Sequence, residues 1–134
     1  MARDEITVHK PELDAKESYE YAAITKQAVT QANGIKILNA LDNKNNSLQI
    51  TIETTYSGAD STLTIKAGNE YPNKILGDAT VPLKKSAVTV VLLEDISRFE
   101  NRDGSINLDF SSSFTGNIWA VAKRAGLKPV VAST

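Results

Sequence analysis

The sequence predicts an all-β protein built as an antiparallel β-sandwich of about seven to nine strands. Apolar and polar residues alternate with a period of two over many short stretches, and turn-forming residues separate these stretches at roughly ten-residue intervals. Threonine is abundant and mostly occupies the outward positions, which suits a pleated sheet. Both an Ig-like and a jelly-roll-like arrangement agree with this pattern.

The clearest strands follow Gly34. Each has an alternating apolar face, carried by Ile35 and Ile37, by Leu48, Ile50 and Ile52, by Leu63 and Ile65, by Ile106, Leu108 and Phe110, and by Ile118, Ala120 and Ala122. Pro82 cannot donate a ladder hydrogen bond, so we expect its strand at a sheet edge or kinked. Val88–Leu93 is apolar on both faces, which predicts a strand covered on both sides.

The first thirty residues are less regular. Ile6 and Val8 alternate with polar neighbours, which predicts a short strand ended by Pro11. Residues 12–31 fit either a helix or a loop that leads into a strand near residues 22–29. We favour the strand, because the apolar positions show no 3.6-residue period.

We therefore expect a single β-sandwich domain over residues 1–134. Residues 1–30 form its irregular N-terminal arm or strand, and residues 127–134 form a flexible tail.

The composition argues against most enzymes. The 134 residues include 15 basic and 16 acidic side chains, no cysteine and a single histidine, His9. Such a chain has no thiol nucleophile and little material for a catalytic triad or a zinc site. It also lacks the glycine-rich motif that cradles phosphates. We expect no catalytic residue, no cofactor and no metal, and the balanced charge argues against a nucleic-acid-coating protein.

The acidic residues have structural interpretations. Asp103 and Gly104 form the dipeptide most typical of a hairpin turn, and a calcium loop would need more oxygen ligands before the glycine. Glu94 and Asp95 are adjacent, so on a strand they would point to opposite faces rather than form a catalytic pair.

The chain shows no targeting or membrane segment. No apolar stretch of signal-peptide length follows Met1, and the longest apolar run, Ile118 to Ala122, is far too short to cross a membrane. We expect a protein that is synthesised in a cytoplasm and has no membrane partner, which is compatible with later incorporation into an extracellular particle.

The aromatic residues are the main candidates for partner contacts. On its strand, Trp119 points to the face opposite to that of Ile118 and Ala120. We favour a core position for it, with a partner-facing anchor as the alternative. We expect His9 to be a surface residue. It completes a candidate partner-binding set with the tyrosines of the less regular segments, Tyr19, Tyr21, Tyr56 and Tyr71.

The C-terminal half contains a recognisable order of segments: Ser97-Arg98-Phe99, then Asp103-Gly104-Ser105-Ile106-Asn107-Leu108-Asp109-Phe110, then Gly116-Asn117-Ile118. This order resembles the small β-sandwich proteins of tailed bacteriophages that are made alongside the major capsid protein. They are the head decoration, or cement, proteins. The resemblance covers about residues 34–127.

The resemblance implies a non-enzymatic virion protein that binds the major capsid protein on the outside of the assembled head and stabilises the capsid. A homotrimer is compatible with it, and so is a monomer. The alternatives are a carbohydrate- or receptor-binding module and a head–tail or tail component.

The same segments also suggest structural roles. We expect Arg98 to be held by a carboxylate such as Asp95 or Asp103, and Phe99 to enter the core. Asp103 and Gly104 should make a hairpin that leads into a strand with Phe110 on its buried face.

Overall fold

A computed structural model of the chain describes residues 2–14, 16–38, 47–69, 73–94 and 97–123. The described residues form eleven strands and one helical turn. In chain order the elements are β1 (Asp4–Thr7), β2 (Glu12–Asp14), β3 (Tyr19–Tyr21), β4 (Gln27–Ala28), β5 (Ile35–Leu38), β6 (Ser47–Thr54), β7 (Ser61–Ile65), α1 (Asn73–Leu76), β8 (Ala79–Leu83), β9 (Val88–Leu93), β10 (Ile106–Phe110) and β11 (Gly116–Lys123).

Two main sheets make up an all-β sandwich, as the alternation predicted. One sheet has the strand order β1-β5-β10-β7-β8, the other has the order β4-β11-β6-β9, and β2 and β3 pair separately. The strand pairs are antiparallel with one difference from expectation, since β1 lies parallel to β5. Side-chain alternation reports which face a residue occupies but not the direction of its strand, so the sequence carried no signal for this pairing.

The core lies between the inner faces of the two sheets. The predicted apolar positions supply most of the core, and Thr54 and Ser61 are polar residues buried beside them in β6 and β7. All of the following are 1% exposed or less: Ile35, Ile37, Leu48, Ile50, Ile52, Leu63, Ile65, Ile106, Leu108, Ile118, Ala120 and Ala122. Phe99 and Phe110 are buried as predicted, and the ring of Phe110 stacks on Phe114 with centroids 4.5 Å apart. Burial of each large apolar side chain contributes about 1.5–3 kcal/mol relative to exposure.

The helix considered for residues 12–31 does not form. The described part of this segment contains β2, β3 and β4, and β4 lies within the stretch where a strand was favoured. A helix there would have no continuous apolar stripe to bury, whereas short strands can use edges of sheets that already exist.

Two of the edge strands, β8 and β9, test two predictions. Pro82 lies in β8 at the edge of the five-stranded sheet, as expected. The prediction for β9 is wrong, because this strand forms an edge of the four-stranded sheet and Val88, Val90 and Leu92 are exposed. An apolar run indicates the character of both faces, but it does not show whether another part of the chain covers them.

Asp103 and Gly104 lie in a hairpin turn, as predicted, since the amide of Asn101 donates to Ser105 O at 2.8 Å across it, but the turn does not join two paired strands of one sheet. The amide of Gly104, at φ 84°, donates to Asn101 O at 2.9 Å, and Asp103 Oδ1 accepts from the amide and hydroxyl of Ser105. β10, which follows, pairs with β5 and β7, whereas β9 belongs to the other sheet. The turn therefore leads the chain from one sheet to the other.

The prediction that Asp103 holds Arg98 is wrong, because Asp103 pairs with Lys36 at 3.3 Å. The alternative carboxylate, Asp95, lies outside the described residues. The guanidinium instead donates to three successive backbone carbonyl oxygens, at 3.1 to 3.2 Å, of Leu76, Gly77 and Asp78. A fork of several N–H donors suits closely spaced carbonyl acceptors. Arg98 therefore joins the end of α1 to the turn before Asp103.

Gly116 allows β11 to start close to β6. A Cβ atom at this position would overlap the carbonyl oxygen of Glu53 and lie 2.9 Å from the Phe114 ring. We expect Gly116→Ala to lower the free energy of unfolding by about 1–3 kcal/mol, because neither the paired backbone nor the packed ring can move freely. Chemical denaturation measures the change, with Thr115→Ala, at an exposed neighbour, as the control. Equal stability of the two variants would contradict this role.

Candidate binding surface

Within the N-terminal arm, residues 8–28 pass from one sheet to the other. After β1 the chain reaches the edge of β11, where the amide of His9 donates to Ala120 O at 2.8 Å and His9 O accepts from Ala122 at 2.9 Å. Later in the arm, β4 pairs with the same strand at Asn117 and Ile118. Backbone hydrogen bonds therefore fix the arm at both ends.

Between these two attachments the arm forms the β2–β3 hairpin. Asp14 shapes its turn, since Oδ1 accepts from the amides of Lys16 and Glu17, and Ser18 adopts a positive φ of 59°. Two residues apart on β3, Tyr19 and Tyr21 share one face, with ring centroids 6.0 Å apart. They are 50% and 52% exposed, so the hairpin presents an aromatic pair to the outside.

His9 lies between two clefts at the base of the hairpin. The first, of about 270 Å³, is lined by His9, Lys10, Glu12, Tyr21, Ala22 and Ala23. The second, of about 180 Å³, is lined by residues of β1 and β4 and reaches Trp119. The amide of Thr25 donates to His9 Nε2 at 3.3 Å, so the imidazole links the outgoing and returning parts of the arm.

Trp119 is not a core residue, and the favoured prediction for it is wrong. It lies on the outer face of the four-stranded sheet, opposite Thr51 on β6, and is partly buried. Lys26 Nζ lies over the indole, 5.8 Å from its centroid. Because Ile118 and Ala120 face the core, the alternation of the strand requires the residue between them to face outward.

Glu53 joins this outer face to the arm. Its carboxylate accepts from Asn117 Nδ2 at 2.9 Å and from Lys26 Nζ at 3.1 and 3.2 Å. The hydrogen bond from Asn117, followed by that from Lys26, holds the pKa of Glu53 below its ordinary value. Lys26 therefore sits between a charged carboxylate and the Trp119 ring at neutral pH.

The structure brings together only part of the candidate set. His9 and Tyr21 line one cleft, Tyr19 adjoins Tyr21, and Trp119 lines the neighbouring cleft with His9. Tyr56 is exposed on the segment after β6, outside the hairpin and both clefts, and Tyr71 lies outside the described residues. Lys26 and Glu53 were not among the predicted residues, because a lysine and a glutamate 27 positions apart give no signal of their contact.

Comparison with protein-family models, with curated proteins and with solved structures finds no match to this chain. Within the described ranges, no three histidine, aspartate or glutamate side chains cluster closely enough to bind a metal ion. The same part of the chain contains no helix with the length and apolar character needed to cross a membrane.

The Glu53–Lys26–Trp119 contacts predict a titration that the single tryptophan reports. Since the pKa of Glu53 is lowered by folding, the stabilisation it provides is complete above its pKa in the unfolded chain and is lost as the pH falls through the lower pKa of the folded state. We expect a step in Trp119 fluorescence below the ordinary titration range of glutamate, because Lys26 loses its charged partner. Fluorescence titration of the folded protein measures this step.

Glu53→Gln should abolish the step. Glu5→Gln, which removes a carboxylate from the cleft that Trp119 lines, is the matched control and should retain it. A step that survives Glu53→Gln unchanged would show that another group controls the indole.

Proposed function

We propose that this chain is a non-enzymatic structural protein of a tailed bacteriophage, a head decoration protein that binds the outside of the assembled capsid and stabilises it. The resemblance of residues 34–127 to such proteins suggests the class. The observation that carries the docking proposal is the β2–β3 hairpin, which presents the half-exposed rings of Tyr19 and Tyr21 on an arm fixed at both ends.

Exposed tyrosine pairs suit protein contacts. Tyrosine supplies a large apolar area with few rotatable bonds and a hydroxyl at the tip, and aromatic residues are enriched at protein interfaces. The hairpin turn is held by Asp14, so little conformational entropy would be lost when a partner covers the rings. The two clefts beside His9 give a partner side chain a place to enter.

The charges of the hairpin indicate which kind of surface it fits. Residues 12–21 include four acidic side chains, Glu12, Asp14, Glu17 and Glu20, and one basic side chain, Lys16. A capsid surface with exposed lysine or arginine complements this hairpin. The phosphates of a nucleic acid or an anionic lipid would be repelled, which agrees with a role without nucleic acid or membrane partners.

Stabilisation of the capsid follows from mass action. A protein that binds the assembled shell, and not its dissociated subunits, lowers the free energy of the shell. The stabilisation grows with the logarithm of the ratio of the protein's concentration to its Kd. Because a head offers the site many times, a modest affinity at each site is sufficient. The proposed partner is therefore the major capsid protein in its assembled form, and the proposed location is the virion surface.

A carbohydrate- or receptor-binding module is the second candidate, and the exposed aromatic residues favour it as well. A sugar ring stacks best on a flat, open aromatic face. The Tyr19 and Tyr21 rings are inclined by 56°, and Lys26 occupies one side of Trp119. This arrangement favours docking of a protein over stacking of a sugar.

Copy number tests the proposed class. We expect purified particles of the phage or prophage that encodes this chain to contain it in near-stoichiometric amounts relative to the major capsid protein, as measured by quantitative mass spectrometry. A few to a dozen copies would instead place the protein at the neck or tail. Its absence from particles would reject the virion assignment, and glycan-dependent fluorescence of Trp119 would then support the sugar-binding candidate.

The tyrosine pair tests the docking surface. We expect Tyr19→Ala combined with Tyr21→Ala to weaken binding to heads that lack the protein by about tenfold or more, because buried aromatic anchors dominate interface energies. Co-sedimentation with purified heads measures the affinity. Tyr56→Ala removes an exposed tyrosine outside the hairpin and is the matched control. Equal binding of the double variant and the control would exclude the hairpin as the docking surface.

A further inference from the structure

The edge strand β9 differs from the other sheet edges that the structure describes. β1 carries the charges of Asp4 and Glu5 at one edge, and β4 is only two residues long. Pro82 protects the β8 edge: the carbonyl of Thr62, opposite it, accepts from Ser111 on the β10 side, so the proline nitrogen faces outward. Charges, short strands and proline are the features that prevent edge-to-edge pairing.

β9 has none of these protective features. Its six residues, VTVVLL, contain no charge and no proline, and its only partner among the described residues is β6. The outward side chains of Val88, Val90 and Leu92 are 58%, 52% and 62% exposed. An apolar edge of this length is a template for pairing with another strand.

The backbone groups at this edge can be assigned from one hydrogen bond. The amide of Thr54 donates to Ala87 O at 2.9 Å, so Ala87 belongs to a hydrogen-bonded pair with β6. Because such pairs alternate along an antiparallel ladder, residues 89, 91 and 93 also face β6. The N–H and C=O groups of Val88, Val90 and Leu92 therefore face the free edge.

We propose that β9 pairs with β9 of a second copy of this chain, antiparallel and with Val90 opposite Val90, to form one eight-stranded sheet. Directly opposed residues of an antiparallel pair share a face, so the outward residues of the two copies must lie opposite one another. Centring on Val90 places Val88 opposite Leu92 twice, and the three free-edge residues of each copy become the hydrogen-bonded ones. The pairing uses both edges and closes at two copies.

Charge selects a second copy in this orientation. Lys85 and Lys84, which pairs with Asp60 at 3.5 Å, precede β9, and Glu94 follows it; all three are exposed. Antiparallel pairing brings the basic end of each β9 to the acidic end of the other, twice. A parallel arrangement would bring lysines against lysines, which is unfavourable.

Sedimentation of the purified chain over a concentration series tests the proposal without capsids, so its outcome is separate from that of the proposed function. We expect a reversible equilibrium between 14.5 kDa and twice this mass. Val90→Lys should raise the dissociation constant by about tenfold or more, because it places two ammonium groups face to face on the symmetry axis. Ile75→Lys, an equally charged change on exposed α1, is the control and should dimerise like the wild type.

A second variant tests the backbone contact. Leu92→Pro removes an N–H group that faces the free edge and leaves the ladder to β6 intact, so we expect a folded monomer. Circular dichroism and thermal melting establish folding for each variant. A wild type that stays monomeric, a trimer or larger assembly, or a dimer that survives both Val90→Lys and Leu92→Pro would each overturn the proposal.

Discussion

The pairing of β6 with β11 is the constraint on which the rest of the molecule depends. Eight successive residue pairs, from Ser47 with Lys123 to Thr54 with Gly116, fix the register of the two central strands. A slip of one residue would turn the inner faces of both strands toward the outside, at a cost of several buried isoleucine and leucine side chains. The same register also directs the side chains of Trp119 and Glu53 outward, and through the pairing of β6 with β9 it determines which β9 residues point outward. The outer surface therefore follows from the register that builds the core.

The two edges of the four-stranded sheet are used in different ways. The N-terminal arm covers the edge at β11 through His9 and β4, whereas the opposite edge at β9 is open among the described residues. In the proposed dimer the open edges meet at the centre, and the two arms lie at the far ends of the joined sheet. The outer faces of both copies then point the same way, so one assembly presents two hairpins with the rings of Tyr19 and Tyr21. Two linked contacts bind more tightly than one when the spacing of the sites on a partner matches.

Most of the fold was predictable because the core obeys one rule, the alternation of apolar residues, and residues such as Ile50 and Leu108 satisfy it without exception. Features that depend on contacts between residues far apart in the sequence were not predictable. The apolar run of β9 does not reveal that it lies at an edge, and the Asp103–Gly104 dipeptide indicates a turn without telling which strands it connects. For Trp119 the alternation already pointed outward, and the general preference of tryptophan for burial was the wrong guide. In the candidate site, the tyrosines were predicted from their residue type alone. Their proximity to His9 was not predictable, because it depends on the path of the arm through space.

The attachment of the arm to β11 has a consequence for the order in which the molecule is made. The arm belongs to the first thirty residues, but the strand that holds it comes after every other described element. During synthesis, His9 and β4 leave the ribosome long before residues 116–123, to which they bind, are made. The strand β6 also lacks its partner β11 until then. The five-stranded sheet, whose last strand is β10, is complete earlier. Emergence of β11 is thus the step that lets the second sheet close and the arm attach, and chains interrupted before residue 116 lack the central partner of both.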